Sequence, residues 1–204
     1  MEREPTIFLV DDDPGVLASL RFLLESNGYT VAIYSSAKAF LDNYDFTRPG
    51  CLLLDLSMPE MDGLELQTRL CAQVPELPII FVSGHGTVPN CVRALKAGAF
   101  DFLEKPLCSE TLLERVRAAL EAGHARRLQR DKRLRLNARL CELTEREREV
   151  MRLLRSGQDM KAIAKKLHIS FQTVAKHRAR LLAKVDANND AELVALLAEF
   201  PPDL

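Results

Sequence analysis

Three consecutive carboxylates, Asp11, Asp12 and Asp13, follow the apolar run TIFLV, and a fourth, Asp55, ends the run CLLLD. Two other runs close on different chemistry: PIIFVS on the hydroxyl of Ser83, and FDFLEK on the ammonium of Lys105, with Pro106 next. Carboxylates gathered closely repel one another and shift their pKa values unless a cation sits among them. Hard oxygen donors with positions left for water suit Mg2+, which takes one or two carboxylates plus substrate oxygens. A carboxylate is also a covalent nucleophile toward a phosphoryl group, giving an aspartyl phosphate. Such a transfer asks for alignment and charge neutralisation more than for covalent chemistry from the protein. Lys105 would supply a fixed positive partner, and Ser83 a hydrogen bond to a phosphoryl oxygen.

These groups meet only if the runs are neighbouring strands with their carboxyl ends at one edge. Apolar runs at 6–10, 30–34, 51–55, 78–83 and 100–105 alternate with helix-like stretches at 14–27, 36–44, 62–73, 87–98 and 109–122. The alternation predicts an α/β fold, a (βα)5 doubly wound parallel sheet covered on both faces. Asp13 is suited to cap the first helix with Pro14 at its first position, Asn27-Gly28 to end it, and Gly98 to follow the fourth. In such a sheet, functional groups collect at the carboxyl ends of the strands near the topological switch point.

An acidic pair after the first run, the stretch DLSMPEMDG at 55–63, Ser83 and Lys105-Pro106 together resemble the receiver domain of two-component response regulators. The resemblance spans residues 6–120 and implies a flavodoxin-like fold with Asp55 as phospho-acceptor. It implies that Asp12 and Asp55 bind Mg2+ with the Ser57 carbonyl, that Asp11 assists, and that the donor is a phosphohistidine on a sensor histidine kinase. It also makes Phe102 the aromatic switch residue alongside Ser83, and the Lys105–Pro106 bond cis. Taken singly, each residue has a plainer reading: Asp13 as a helix cap, Ser83 as a strand-end hydroxyl, Lys105 as a solvated lysine, Phe102 as packing. Jointly, at the right strand ends, the functional reading prevails. Ser83 stands where the family more often has Thr, and Leu107 where Phe is commoner; the hydroxyl is kept. A dehalogenase-like phosphohydrolase would need a second acid two residues after the nucleophile, where this chain has Ser57.

Charge divides the chain. Residues 1–120 hold 10 Lys+Arg against 17 Asp+Glu, and residues 121–204 hold 18 against 12. Only the second part is therefore expected to meet a polyanion. The five cysteines show no paired spacing, as expected of reduced thiols in a cytoplasmic protein. The start, MEREP, has no signal-peptide pattern, and no run is long enough to span a bilayer.

Residues 1–122 are thus read as the receiver, 123–141 as an Arg-rich helical linker with Gly123 as its weak point, and 142–204 as an all-α output domain. Leu128, Leu134, Leu136 and Leu140 form an incomplete stripe, short of the sustained heptads of a dimer seam. Helices are predicted at 144–155, 159–167, 171–184 and 190–199, the first opened by a capping box from Thr144 to Glu147. The second and third, joined by a tight turn at His168–Ser170, read as a helix-turn-helix. Ile163, Ala164 and Leu167 turn inward from one, and Val174, His177 or Arg178, Leu181 and Val185 from the other. Gln172, Ala175, Lys176, Ala179 and Arg180 lie on the outer side of the second, in a pattern that fits the major groove.

The stretch LTEREREVMRLLRSGQDMKAIAKKLHISFQTVAKHRARLLAKV, 143–185, resembles the LuxR-type DNA-binding domain of the FixJ-like group of response regulators. The resemblance implies phosphate contacts from Lys161 and Thr173, backbone proximity for His177, Arg178 and Lys184, and base-facing positions at Ala175, Lys176 and Ala179. Many relatives carry Lys or Glu where this chain has Ala175. The expected protein is a DNA-binding transcriptional regulator rather than an enzyme, dimeric when phosphorylated. Its expected partners are a kinase, promoter DNA and RNA polymerase. A rival is a phosphorylation-independent regulator whose receiver is a dimer scaffold.

Overall fold

The structure, a computed structural model, describes residues 4–45, 47–84 and 86–198. The chain divides into two compact units, Met1–Gln129 and Arg130–Leu204.

In the first unit, β1 (Thr6–Val10), β2 (Thr30–Tyr34), β3 (Gly50–Leu54), β4 (Ile79–Ser83) and β5 (Asp101–Glu104) form one sheet in the order β2-β1-β3-β4-β5. Every pairing is parallel, with Val10 beside both Tyr34 and Leu54, and Ser83 beside Glu104. The helices α1 (Pro14–Ser26), α2 (Ala37–Asn43), α3 (Gly63–Gln73), α4 (Val88–Lys96) and α5 (Ser109–Cys141) alternate with the strands. β1 and β3 are buried on both faces, which is why their sequences are unbroken apolar runs rather than alternating ones. One face packs Ile7, Leu9, Leu53 and Ile80 under Leu17, Leu20 and Leu24 of α1 and Leu112 and Val116 of α5. The other packs Phe8, Leu52, Leu54 and Phe81 under Phe40 of α2, Leu66 and Leu70 of α3 and Ala94 of α4.

Caps fix where the helices begin. The Asp13 carboxylate accepts from the Gly15 and Val16 amides with Pro14 in the first turn, and Asp62 accepts from the Glu65 amide to start α3. Thr87 stands at the head of α4 without a side-chain cap bond. Helix α5 runs unbroken through Gly123, where the sequence suggested a weak point. A β-carbon there would stand 2.9 Å from the Pro78 ring, so glycine serves close packing of the helix on the β3–β4 side of the unit.

The second unit contains the end of α5 followed by α6 (Glu145–Arg155), α7 (Met160–Leu167), α8 (Phe171–Val185) and α9 (Asp190–Leu197). The capping box predicted at Thr144 and Glu147 is present, and His168 ends α7 in the left-handed conformation with φ 55°. Val150, Met151 and Leu154 of α6, Ile163 of α7, Val174, Leu181, Leu182 and Val185 of α8, and Leu193 and Leu197 of α9 form its core, with Leu136 and Leu140 of α5. Glu199, the predicted last residue of the final helix, lies outside the described residues. Among the described residues, no helix is long and apolar enough to cross a membrane.

Candidate functional site

The strand order places the ends of β1 and β3 side by side, where the chain winds to opposite sides of the sheet; this is the switch point at which such folds bind ligands. Asp11 and Asp55 are the first residues past these two strands, one step beyond the strand ends rather than on them. The Asp55 amide donates to the Val10 carbonyl (2.8 Å), continuing the ladder into the site. Both carboxylates are buried, at 4% and 7% exposure, while Asp12 beside them is exposed.

Lys105 joins them. Its Nζ donates to Asp11 Oδ2 at 2.8 Å and to Asp55 Oδ1 at 3.1 Å. Each carboxylate has one further donor: the Asp13 amide on Asp11 Oδ1 (2.9 Å) and the Ser57 amide on Asp55 Oδ2 (2.7 Å). Lys105 is carried by the end of β5, its amide bonded to the Ser83 carbonyl (2.9 Å), and its bond to Pro106 is cis. Ser83 is itself buried at the end of β4. The structure therefore brings Asp11, Asp55 and Lys105 into contact and sets Ser83 on the strand next to Lys105.

The electrostatics follow from burial. Desolvation raises the Asp55 carboxyl above the ordinary carboxylate range; the hydrogen bonds from Lys105 and Ser57 oppose that rise, and the Asp11 charge adds to it. Burial pulls the Lys105 ammonium down, but its bonds to Asp11 and Asp55 outweigh that and leave its pKa raised. One lysine is thus shared by two buried acids.

Among the described residues, no three His, Cys, Asp or Glu side chains are grouped as a ready-made metal cage. The donor set nevertheless suits a hard cation that keeps most of its waters. Asp11 and Asp55 each present carboxylate oxygens at one edge, and Asp12 and Ser57 line an open cleft beside them with Met58, Asn90 and Arg93.

Two glycines shape the rim. A β-carbon on Gly63 would collide with the Asp55 carbonyl and approach Phe81, so the MDG of the sequence is a close-packing requirement beneath the acidic residue. Gly86 was not singled out by its sequence context; a β-carbon there would meet the Phe102 ring at 2.8 Å. Phe102 is half-buried, stacked on Phe81 with centroids 5.9 Å apart. The glycine-rich spacing after Ser83 (SGHG) was the available signal.

In the second unit, Lys161, Gln172, Lys176, Ala179 and Arg180 are exposed, and Ala175 is half-buried. Thr173 shares a hydroxyl–hydroxyl bond with Ser170 (2.8 Å), the cap of α8, and its amide donates to the Ser170 oxygen (3.1 Å). Of three residues expected near the DNA backbone, two are bonded internally and the third is half-buried. Arg178 Nε donates to Asp190 Oδ1 (2.7 Å), tying α8 to the start of α9. Lys184 Nζ donates to Glu147 Oε2 (2.7 Å) and to the Glu142 carbonyl (3.0 Å). His177 is half-buried with Nδ1 enclosed and unpartnered among the described residues. The family resemblance put Arg178 and Lys184 near the DNA backbone, while helical spacing set His177 or Arg178 on the inner side of the helix; neither carried a sign of the acids that claim them.

A parallel sheet with a lysine-bridged acid pair at its switch point, followed by a helix-turn-helix unit, defines a class, and sequence comparison supplies its name. Residues 7–117 match the response regulator receiver domain, and residues 142–197 match the luxR family of bacterial regulatory proteins. The chain belongs to the two-component response regulators with a LuxR-type DNA-binding domain, and it is a transcriptional regulator of that kind. It is 39% identical over 203 residues to the response regulator protein TmoT of Ectopseudomonas mendocina, covering 100% of this chain and 92% of that one. It is 41% identical over 199 residues to the transcriptional regulatory protein FixJ of Rhizobium meliloti (strain 1021), covering 97% and 98%. Among solved structures, the response regulator StyR matches with a TM-score of 0.85 at 39% identity, covering 97% of this chain and 100% of that one.

Proposed function

We propose that Asp55 accepts a phosphoryl group from the phosphohistidine of a sensor histidine kinase, and that this event controls promoter binding by the second unit. The observation that carries the reading is the Asp11–Lys105–Asp55 bridge at the switch point. An Asp55 oxygen attacks phosphorus as the phosphorus–nitrogen bond to the donor breaks, so the reaction needs an anionic, aligned carboxylate and nearby positive charge. Mg2+, held by Asp11, Asp12, Asp55 and the Ser57 carbonyl, would supply charge neutralisation and orientation when bound. Lys105 leaves Asp55 Oδ1 for a phosphoryl oxygen, keeping Asp11 as its second partner. The Ser83 hydroxyl donates to another phosphoryl oxygen.

The modification replaces one charge by about −1.5 to −2. Movement of Ser83 toward the phosphoryl group draws in the loop carrying Gly86, against which Phe102 rests. The bistable element is then the α4–β5–α5 surface. Val88, Val92 and Leu95 of α4 are exposed apolar residues at 77%, 43% and 43%, and they support assignment of this surface to dimerisation. Two output units would bind half-sites about one helical turn, ~10 base pairs, apart. Gln172, Ala175, Lys176, Ala179 and Arg180 face the major groove. Lys161, Thr173 and His177 lie toward phosphates, and Arg178 and Lys184 hold α8 in place. The regulator acts by binding, in the cytoplasm, with RNA polymerase as its downstream partner, and turns over no substrate of its own.

The test is labelling by a small-molecule phosphodonor with Mg2+, followed by promoter footprinting. Wild-type protein is expected to take up an acid-stable, base-labile phosphoryl group and to protect DNA more strongly afterwards, while Asp55→Asn does neither. Equal labelling of Asp55→Asn would remove the assignment of the acceptor. Footprinting by Asp55→Asn equal to that of labelled wild type would remove phosphorylation as the control.

A further inference from the structure

The positive charge of the C-terminal part does not reside in its helix-turn-helix domain. Residues 142–204 hold 11 Lys+Arg against 10 Asp+Glu, while residues 121–141 hold seven against two. Within the domain, at least four of the 11 cations are spent, among the described residues, on acids of the same unit: Arg146 on Glu149, Arg152 on Glu145, Arg178 on Asp190 and Lys184 on Glu147. A duplex presents one charge per ~1.7 Å, and a DNA-binding surface owes most of its affinity to cations that displace counterions from it.

The end of α5 supplies what the domain lacks. Lys132, Arg133 and Arg135 are exposed and have no ion pair among the described residues. They line an open cleft of about 500 Å³ together with Arg139, Val185 and Asp186. Arg139 fastens this stretch to the end of α8, donating to the Val185 carbonyl (3.2 Å) and pairing with Asp186 (3.1 Å). Helix α8 has 15 residues and is therefore about 22 Å long, more than the ~12 Å width of the major groove it would occupy. Its C-terminal end reaches a flanking backbone when its N-terminal half meets bases. Three unpaired cations stand at that end.

We propose that Lys132, Arg133 and Arg135 form a second phosphate-contacting strip, so that the segment between the two family domains is part of the DNA-binding surface. The inference rests on the reading that the second unit binds DNA. It predicts a contribution independent of base sequence, because phosphate contacts position the protein without reading the sequence.

The experiment compares full-length wild-type protein, with a beryllofluoride phosphoryl mimic and Mg2+, against the triple variant Lys132→Ala/Arg133→Ala/Arg135→Ala. The probe is a short DNA duplex of arbitrary sequence, titrated at several salt concentrations. Three lost contacts lower the slope of log affinity against log salt by about 2.7, so wild type should lose about 40-fold more affinity than the variant between 50 and 200 mM salt. The charge-retaining variant Lys132→Arg/Arg133→Lys/Arg135→Lys should keep the wild-type slope. Arg21→Ala/Lys38→Ala/Arg69→Ala, on α1 to α3, should keep it also. Equal slopes for wild type and the alanine triple overturn the inference while leaving DNA binding intact. Wild-type protein that binds no duplex even at 50 mM salt overturns the DNA-binding reading and the inference with it.

Discussion

Lys184 on α8 donates to Glu147 on α6 across 2.7 Å, and the Glu147 side chain is only 3% exposed. Glu147 also accepts from the Thr144 amide (2.9 Å), so a single carboxylate closes a helix cap and joins two helices of the output domain. Burial raises its pKa, but the bonds from Lys184 and Thr144 prevail and hold it below the ordinary carboxylate range. A depressed folded pKa means stability that is present above the unfolded value, ~4.3, and is lost as pH falls through the folded one. Glu147→Gln is expected to cost about 2 kcal/mol at neutral pH, the scale of a charged hydrogen bond. It should also flatten the acid limb of chemical denaturation curves; an unchanged limb would assign the acid sensitivity elsewhere.

The receiver acid behaves in the opposite sense. Asp55 has a raised pKa because of its burial, so its ionisation opposes folding. Stability falls as pH rises from the unfolded value, ~3.9, through the folded one, and is level beyond. Asp55→Asn removes that fall. The variant should melt higher than wild type at pH 7, with the difference shrinking toward zero below pH ~4, as read by thermal melts across pH. A variant less stable than wild type at pH 7 would mean that the Lys105 bond outweighs desolvation.

Beneath Asp55, Gly63 leaves no room for a side chain. Gly63→Ala must shift the Asp55 backbone or the Phe81 ring, and overpacking of this kind costs about 1–3 kcal/mol. Denaturant midpoints should report that loss. Phosphodonor labelling should slow in parallel, since a displaced Asp55 no longer meets the Lys105 ammonium in line.

Gly86 against Phe102 yields a switch prediction. In Gly86→Ala the new methyl would stand 2.8 Å from the ring edge, driving Phe102 from its resting position. Sizing with and without the beryllofluoride mimic should show a smaller difference between the two states than wild type shows. A wild-type response would separate the ring from the dimerisation step.

The legible parts of the fold were those decided by periodicity. Unbroken apolar runs such as CLLL are what a doubly buried parallel strand requires, and Asp13-Pro14 and Thr144–Glu147 announce helix starts through their own hydrogen bonds. The acid cluster was legible because strand ends in a parallel sheet share an edge. The partners of long side chains were not. Arg178 finds Asp190 12 residues away and Lys184 finds Glu147 37 residues away, pairings that depend on how helices cross. The continuity of α5 was equally hidden, because Gly123 reads as a helix breaker until Pro78 is seen against it.

That last contact has a companion. Arg127, one turn further along α5, donates to the carbonyls of Thr47 (2.6 Å) and Arg48 (3.1 Å) in the segment before β3. The turns just past residue 122 are therefore part of the receiver's own wall. A receiver fragment cut at residue 122 would leave Pro78 bare and two main-chain oxygens without their guanidinium donor, whereas one cut after Gln129 would keep both sealed.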